Sequence, residues 1–231
     1  MKRVHFTQRT SCGRENLRGH GSLHDLKIVK IEKSKHRQGR ILVHLEGGDL
    51  LRITEDEFLR FDLYTGLDIS PETMVELQKC AARSETRVRA VNMISARPLS
   101  KKELQKRLRD KGAADADAEA AADWLENIGA LDDLAYAKTI VRHYSANGCG
   151  EAKLRDELRR RGVPREYWDE ALATAPDPAE TIARVIAAKT KGGALGDKER
   201  KKLSDLLLRR GFAWRDVRAA LAALGEEIPE D

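Results

Sequence analysis

The chain has 231 residues, of which 41% are apolar and 35% charged, so its length allows one or two globular domains. It contains no run of about 18 uncharged apolar residues and no apolar secretory signal after Met1, which excludes an integral membrane protein and predicts a cytoplasmic one. The net charge of +5 is a mild basic excess that favours a polyanionic partner.

The first segment, residues 1–22, is rich in arginine, lysine and glycine and has almost nothing to bury. This composition predicts a disordered basic arm. His20 and His24 have the H-x3-H spacing of a metal-binding helix, but Gly21 and Ser22 between them oppose helix formation. We therefore expect no metal site in this arm.

A period of two begins at Leu26 and continues to about Thr54, as in "RILVHLE", where Ile41, Val43 and Leu45 alternate with Leu42 and His44. Alternation of this kind indicates strands with one buried face, and Gly47-Gly48 indicates a tight hairpin. Residues 23–70 are therefore predicted to form a small three-stranded antiparallel β-meander, followed by a short helix.

Two helix starts follow the strands. Thr54 and Glu57 form a capping-box sequence for a short helix that ends near Phe61. Ser70-Pro71 combines an N-cap residue with a proline at the first helical position, and this second helix is predicted to reach about Ala96. Beyond it the chain is predicted to be helical throughout.

A pattern of L-x3-L-x3-G occurs three times and ends at Gly112, Gly162 and Gly211, with offsets of 50 and 49 residues. Leucines four apart form one apolar stripe of a helix, and the glycine suits the left-handed position after the helix end. The fold class is therefore mainly α, with three tandem three-helix repeats at 71–131, 132–175 and 176–231. Stacked repeats would form a curved, elongated array with long exposed faces.

Within the second repeat, Asp132 or Asp133 is the expected N-cap of the first helix, and Pro164 opens the third. Each third helix carries one tryptophan, Trp124, Trp168 or Trp214. Core packing explains these better than base stacking. Gly192, Gly193 and Gly196 indicate a linker between repeats.

The second helix of each repeat is basic, whereas seven acidic residues and no basic one lie between Asp115 and Asp133. Lys111, Arg161 and Arg210 precede the helix-ending glycines, where the helix dipole and the binding of a partner explain a cation equally well. Cations in the first turns lie at the opposite end of the dipole and are better candidates for binding. The candidate partner-binding or nucleic-acid-binding residues are Lys101, Lys102, Lys106, Arg107, Arg109, Arg155, Arg159, Arg160, Arg200, Lys201, Lys202 and Arg209. The alternative for these cations is a solvated helix face, in which Glu103, Asp156, Glu157 and Asp205 pair with them.

Catalytic and cofactor chemistry has little support in the sequence. Cys12, Cys80 and Cys149 are far apart and lack C-x2-C spacing, so neither a disulfide framework nor a zinc site is expected. No phosphate-binding loop of the G-x4-G-K-[S/T] type occurs, so no nucleotide cofactor is expected. No acid, base, nucleophile or metal cluster converges, and we expect no enzyme.

Four segments together resemble the RecX family of regulatory proteins: "RPLSKKELQKRLRDKG", "ENIGALDDLAYAKTIVRHY", "GCGEAKLRDELRRRGV" and "LLRRGFAWRDVRAAL". The resemblance covers about residues 84–225. The strands and "DEFLRFDLYTGLDIS" before it are similar to an N-terminal extension of some members. The basic arm departs from the family pattern, as do Cys149, Glu151 and Ala152, where members often carry bulkier or basic residues.

The resemblance implies a non-enzymatic regulator of DNA repair and homologous recombination. RecX-like proteins bind the RecA recombinase filament along its groove and limit its extension, ATP hydrolysis and strand exchange. Single-stranded DNA is a second candidate partner, and a monomer without cofactor or metal is expected. The alternative is a stand-alone helical-repeat DNA-binding protein, whose DNA binding would be salt-sensitive in the absence of RecA.

Overall fold

A computed structural model describes residues 25–35, 37–190 and 196–226, and for residues 224–226 it describes the backbone only. The predicted basic arm, with His20 and His24, lies outside the described residues. The chain divides into two compact units, one up to Gln78 and one from Lys79 onward.

The first unit contains the predicted antiparallel meander and one strand that the sequence did not indicate. The fourth strand pairs Leu26 with Ile69, so the sheet has four strands rather than the three predicted. This strand has two residues, too few to show an alternating pattern. The sheet order is β3-β2-β1-β4, with β1 Leu26–Lys33, β2 Arg40–Leu45, β3 Leu50–Thr54 and β4 Asp68–Ile69.

The alternation in β2 has the predicted consequence, because Ile41, Val43 and Leu45 are all buried. A short helix, α1 (Glu55–Arg60), follows β3 and begins with the predicted capping box. Thr54 Oγ1 accepts a hydrogen bond from the Glu57 amide at 3.2 Å, and the Glu57 carboxylate accepts one from the Thr54 amide at 2.8 Å.

From Pro71 onward the chain is helical, in three successive groups of helices, and no helix in the part that the structure describes is long and apolar enough to cross a membrane. The first group is α2 (Pro71–Ala96), α3 (Lys101–Asp110) and α4 (Asp115–Asn127). The second is α5 (Asp133–Ala146), α6 (Glu151–Arg160) and a 3-10 turn (Arg165–Tyr167) that leads into α7 (Trp168–Leu172). The third is α8 (Pro178–Thr190), α9 (Asp197–Arg209) and α10 (Trp214–Glu226).

This order corrects the predicted position of the glycine-rich linker. Gly192, Gly193 and Gly196 lie between α8 and α9, which both belong to the third repeat. The linker is therefore inside a repeat and not between two repeats. Its sequence resembles an inter-domain linker because a glycine-rich segment has the same composition in both places.

Each repeat has its own apolar core around the paired leucines of its second helix. Leu104 and Leu108, Leu154 and Leu158, and Leu203 and Leu207 are all buried in these cores. The glycine four residues after the second leucine has a φ of 87°, 70° or 86° in the three repeats. A residue with a side chain is strained at such an angle, so glycine ends each of these helices as predicted.

The three tryptophans differ in their environments. Trp168 is buried and donates a hydrogen bond to the Val163 carbonyl at 3.0 Å, and Trp124 packs against the first core. Trp214 is 58% exposed, so its predicted core position is wrong. Trp168 is the sixth residue after the helix-ending Gly162. In the third repeat, the sixth residue after Gly211 is Val217, which is fully buried.

The second helices of successive repeats meet end to end. The carbonyl of Arg161, which ends α6, accepts a hydrogen bond from Ser100 Oγ, the N-cap of α3, at 2.5 Å. In the same way, the carbonyl of Arg210 at the end of α9 accepts one from the amide of Gly150, the N-cap of α6, at 2.9 Å. The negative dipole end of α6 therefore faces the positive end of α3, and the negative end of α9 faces the positive end of α6. Both arrangements are electrostatically favourable.

An aspartate completes the first of these joints. Asp132 is the N-cap of α5 and accepts a hydrogen bond from the Ala135 amide at 2.8 Å, which settles the choice between the two aspartates. The buried Asp133 instead accepts one from the Lys101 amide at 2.8 Å, at the start of α3. Burial raises the pKa of Asp133, although the Lys101 amide opposes this shift.

Candidate functional site

A basic cleft of about 600 Å³ lies where the first and second repeats meet. Its walls are α3 with the residues that follow it, Met93 of α2 and the end of α6. The acidic residues of the lining are Glu103 and Asp110. The basic ones are Lys102, Lys106, Arg107, Lys111, Arg159, Arg160 and Arg161.

Close packing brings the two walls together. A Cβ atom added to Gly162 would lie 3.3 Å from Cβ and Cδ of Lys102, so the helix-ending glycine packs on the alkyl stem of this lysine. Lys102 nevertheless remains exposed, since a long side chain can bury its stem and keep its ammonium group in water. The contact holds the end of α6 against α3.

The lysines and arginines of the cleft differ in how far their charge is compensated. Among the described residues, no carboxylate lies within 4.0 Å of the ammonium groups of Lys102, Lys106 or Lys111. Arg107, by contrast, shares the Glu103 carboxylate with Arg97, at 3.1 and 2.6 Å. The uncompensated charge of the cleft therefore comes mainly from its lysines.

A buried glutamate positions the arginines at the end of α6. The Glu157 side chain is only 7% exposed and accepts a 2.6 Å ion-pair hydrogen bond from Arg160. Burial would raise the pKa of Glu157, but hydrogen bonds from Arg160 and Tyr144 outweigh it and hold this pKa below its ordinary value. Glu157 is therefore ionised near neutral pH and orients Arg160 towards the cleft.

Arg161 has contacts beyond the helix dipole that accounts for it in the sequence. Its guanidinium donates hydrogen bonds to the hydroxyl groups of Tyr136, at 2.8 Å, and Tyr144, at 3.5 Å. Together with Lys111, it lines the cleft although both were left out of the predicted set. The glycine that follows each of them was the available signal, because it marks the end of the helix that packs at a repeat joint.

Lys101 lies outside the cleft and forms ion pairs with two carboxylates of the same protein. Its ammonium group is 2.8 Å from Asp123 and 2.6 Å from Glu126, both in the acidic helix α4. Hydrogen bonds to Asp123 and Glu126 raise the pKa of Lys101. The helix α4 thus neutralises the first-turn lysine that the sequence made a leading candidate.

The other predicted residues fall into three groups. Five of the predicted set line the cleft, namely Lys102, Lys106, Arg107, Arg159 and Arg160. Arg109 lies 3.6 Å from Asp115, and Arg155 lies 2.8 Å from Glu151 and 3.6 Å from Asp169. The remaining four, Arg200, Lys201, Lys202 and Arg209, lie on α9 in the third repeat and do not line this cleft.

Metal ligands do not cluster in the parts of the chain that the structure describes, where no group of three His, Cys, Asp or Glu residues could hold an ion. Cys80 and Cys149 are free thiols. Burial raises the pKa of Cys149, which disfavours the reactive thiolate. The seven basic residues that line the cleft, against two acidic ones, give it a positive charge that favours an anionic ligand.

Two family models match the two repeats that form the cleft. A family model for the first three-helix domain of RecX matches residues 87–125, and one for the second matches residues 132–172. The regulatory protein RecX of Vibrio campbellii is 34% identical over 140 residues, which cover 60% of this chain and 90% of that protein. The regulatory protein RecX of Bacillus licheniformis is 29% identical over 199 residues, covering 84% of this chain and 76% of that protein.

Solved structures show the same fold. A crystal structure of regulatory protein RecX superposes with a TM-score of 0.65 at 21% identity, covering 84% of this chain and 98% of that one. RecX from Lactobacillus salivarius superposes with a TM-score of 0.55 at 19% identity, covering 62% of this chain and 97% of that one. With its helical repeats and its similarity to these relatives, the chain belongs to the RecX family of regulatory proteins.

Proposed function

We propose that the chain binds the RecA recombinase filament and inhibits its extension, ATP hydrolysis and strand exchange in recombination and DNA repair. The observation that carries this proposal is the basic cleft, which lies between the two repeats matched by the RecX family models. Relatives that bear the name regulatory protein support a regulatory role.

The cleft suits an acidic protein surface for a physical reason. Lys102, Lys106 and Lys111 carry flexible point charges that reach carboxylates in many geometries, while Glu157 fixes the guanidinium of Arg160 in place. Complementary charge of this kind speeds association and fixes the register of two partners. In this proposal the protein acts by binding alone, as a cytoplasmic monomer without cofactor or enzyme activity.

A stand-alone DNA-binding protein is the second candidate function. It is favoured by the cations of α9, because Lys201, Lys202 and Arg209 have no carboxylate within 4.0 Å in the described part of the chain. Phosphate contacts by such residues release counterions, so this function requires tight DNA binding that weakens steeply with salt.

The test is the hydrolysis of ATP by RecA on single-stranded DNA. The purified chain, added at substoichiometric amounts to preformed filaments, is expected to suppress hydrolysis. If active RecA shows no suppression of hydrolysis at equimolar amounts of the chain, the proposal is contradicted. Tight, salt-sensitive DNA binding in the absence of RecA, combined with no suppression, would establish the second function instead.

A further inference from the structure

Another pocket, of about 290 Å³, lies where the second and third repeats meet. Leu154 and Leu172 line it from the second repeat, and Phe212 lines it from the third. Exposed residues of the α7–α8 connection, among them Ala173 and Asp177, also line the pocket and give it an opening to solvent. Ligand pockets in proteins have mostly apolar walls of this kind, and this volume is at the lower end of their range.

One buried polar group of this pocket has no partner. Ser145 lies in the last turn of α5, is 3% exposed and lines the pocket, yet its hydroxyl has no hydrogen-bond partner among the described residues. Its carbonyl, by contrast, accepts hydrogen bonds from the Gly148 amide and the Arg184 guanidinium, both at 2.9 Å. An unpaired buried hydroxyl is unfavourable, so the pocket offers a hydrogen bond that the protein itself does not use.

The hydroxyl of Ser145 also does not take the partner that a helix ordinarily provides. A hydroxyl inside a helix commonly donates to the carbonyl four residues earlier, as Thr139 of α5 does to Ala135 at 2.9 Å. Ser145 makes no such bond with the Val141 carbonyl. It is therefore available to a molecule that enters the pocket.

The charge of the lining favours a neutral ligand. Among the described residues, no lysine, arginine or histidine lines the pocket. Its carboxylates have partners already, because Glu151 pairs with Arg155 at 2.8 Å. Asp177 accepts a hydrogen bond from the Ala179 amide at 2.7 Å. Burial raises the pKa of Cys149, which also lines the pocket, and keeps its thiol uncharged.

We infer that this pocket between the second and third repeats binds a small neutral molecule with an apolar body and one hydrogen-bonding group, which pairs with Ser145 Oγ. Its volume corresponds to about ten water molecules, so a single ring with a short polar substituent fits. Because the walls belong to both repeats, the bound molecule stabilises the packing of one repeat on the other. This site lies outside the basic cleft, and its occupancy requires neither RecA nor DNA.

The experiment uses benzyl alcohol as the probe, because it is one neutral ring with one hydroxyl. In a Cys12→Ser/Cys80→Ser variant of the full chain, Cys149 is the remaining thiol, so its alkylation by iodoacetamide reports on the pocket. Such a small molecule is expected to bind with a dissociation constant of about 1 mM, so about 10 mM benzyl alcohol should slow alkylation about tenfold. Saturation-transfer NMR of the benzyl ring measures the same binding without the thiol.

Ser145→Ala tests the hydrogen bond. It should weaken benzyl alcohol binding about tenfold and leave the affinity for toluene, which has no hydroxyl, unchanged. Because the Ser145 hydroxyl has no partner in the free protein, this substitution should not lower the Tm. Thr139→Ala is the matched control on the same helix, since its hydroxyl bonds to Ala135 outside the pocket, and it should bind benzyl alcohol as wild type does.

Three results would each overturn the inference. The first is neither protection of Cys149 nor saturation transfer with benzyl alcohol, which would show a pocket that holds water only. The second is equal protection by benzoate or benzylamine, which would contradict a neutral ligand. The third is equal affinity of wild type and Ser145→Ala for benzyl alcohol. None of these measurements involves RecA, so this site and the proposed function are tested separately.

Discussion

Ser100 and Arg161 are 61 residues apart in the chain, yet the Ser100 hydroxyl donates a hydrogen bond to the Arg161 carbonyl across the first repeat joint. The same hydroxyl accepts a hydrogen bond from the Glu103 amide at 3.1 Å, as the N-cap of α3. One buried oxygen therefore serves both the start of a helix and its junction with the next repeat.

Ser100→Ala removes both hydrogen bonds. We expect the free energy of unfolding to fall by about 2 kcal/mol, from the lost N-cap and from a buried carbonyl left without its donor. Urea denaturation followed by circular dichroism measures this change. The control is Ser204→Ala in α9, a half-buried serine that makes no such bonds and whose replacement should change stability by less than about 0.5 kcal/mol. Equal effects of the two substitutions would contradict the role given to Ser100.

Gly150→Ala tests the second joint. A Cβ atom at Gly150 would lie 2.5 Å from the backbone of Gly211 and Phe212, so the joint must open to admit it. We expect destabilisation of about 1–3 kcal/mol, as for other overpacked sites. Gly196 is the matched control, because it is also the N-cap of a second helix with ordinary φ, and the nearest atom to its added Cβ is 3.9 Å away. Thermal unfolding of both variants should show a lower Tm for Gly150→Ala alone.

The cleft lysines are expected to carry RecA suppression. Reversing Lys102 and Lys106 to glutamate replaces uncompensated positive charge with negative charge, and we expect at least about tenfold more protein to be needed for half-suppression of hydrolysis. Lys106 is exposed, whereas the Lys102 stem packs on Gly162, so circular dichroism must show that the double variant is folded before its suppression is compared. The matched control reverses Lys79 and Lys189, two exposed lysines outside the cleft. If the control variant loses as much suppression, net charge and not the cleft is responsible.

Asp133 should make stability depend on pH. Its pKa is raised in the folded protein, so the folded state retains a proton that the unfolded state releases above about pH 4. This group's contribution is therefore full at low pH and is lost as the pH rises through the folded pKa. Asp133→Asn keeps an oxygen that can accept from the Lys101 amide but cannot ionise.

The stability of Asp133→Asn relative to wild type should therefore increase as the pH is raised from about 4 towards neutrality. Taking this difference cancels the opposite trend of Glu157, whose lowered pKa makes stability fall as the pH drops. Guanidinium denaturation at several pH values measures the difference. A difference that stays constant with pH would show that Asp133 has its ordinary pKa.

Local features of the fold were predictable because their causes are local. The L-x3-L-x3-G pattern identified each second helix, and the capping box at Thr54 and Glu57 located α1. The prediction that Trp214 is buried was wrong because it compared the tryptophans of the three repeats by residue type. Burial in this helix depends instead on the distance in sequence from the helix-ending Gly211. Val217, at the correct distance, is the residue in the core.

The candidate site was only partly predictable, because its composition depends on contacts between distant residues. Lys101 and Lys102 are neighbours in sequence, yet one faces the carboxylates of α4 and the other packs under Gly162 at the cleft. Adjacent residues of a helix point in different directions, so Lys101 and Lys102 have different environments. Which residues each of them contacts depends on how the helices and repeats pack. The same holds for Arg161, whose tyrosine partners lie 17 and 25 residues away.

The end-to-end joints also make the first two repeats depend on residues that are synthesised after them. The start of α3 is completed by the Asp133 carboxylate and its N-cap serine by the Arg161 carbonyl, both of which leave the ribosome after the first repeat. The start of α6 likewise waits for the carbonyls of Arg210 and Gly211. The first and second repeats are thus each completed by the next repeat, so a nascent chain that stops after the first repeat exposes an open helix end.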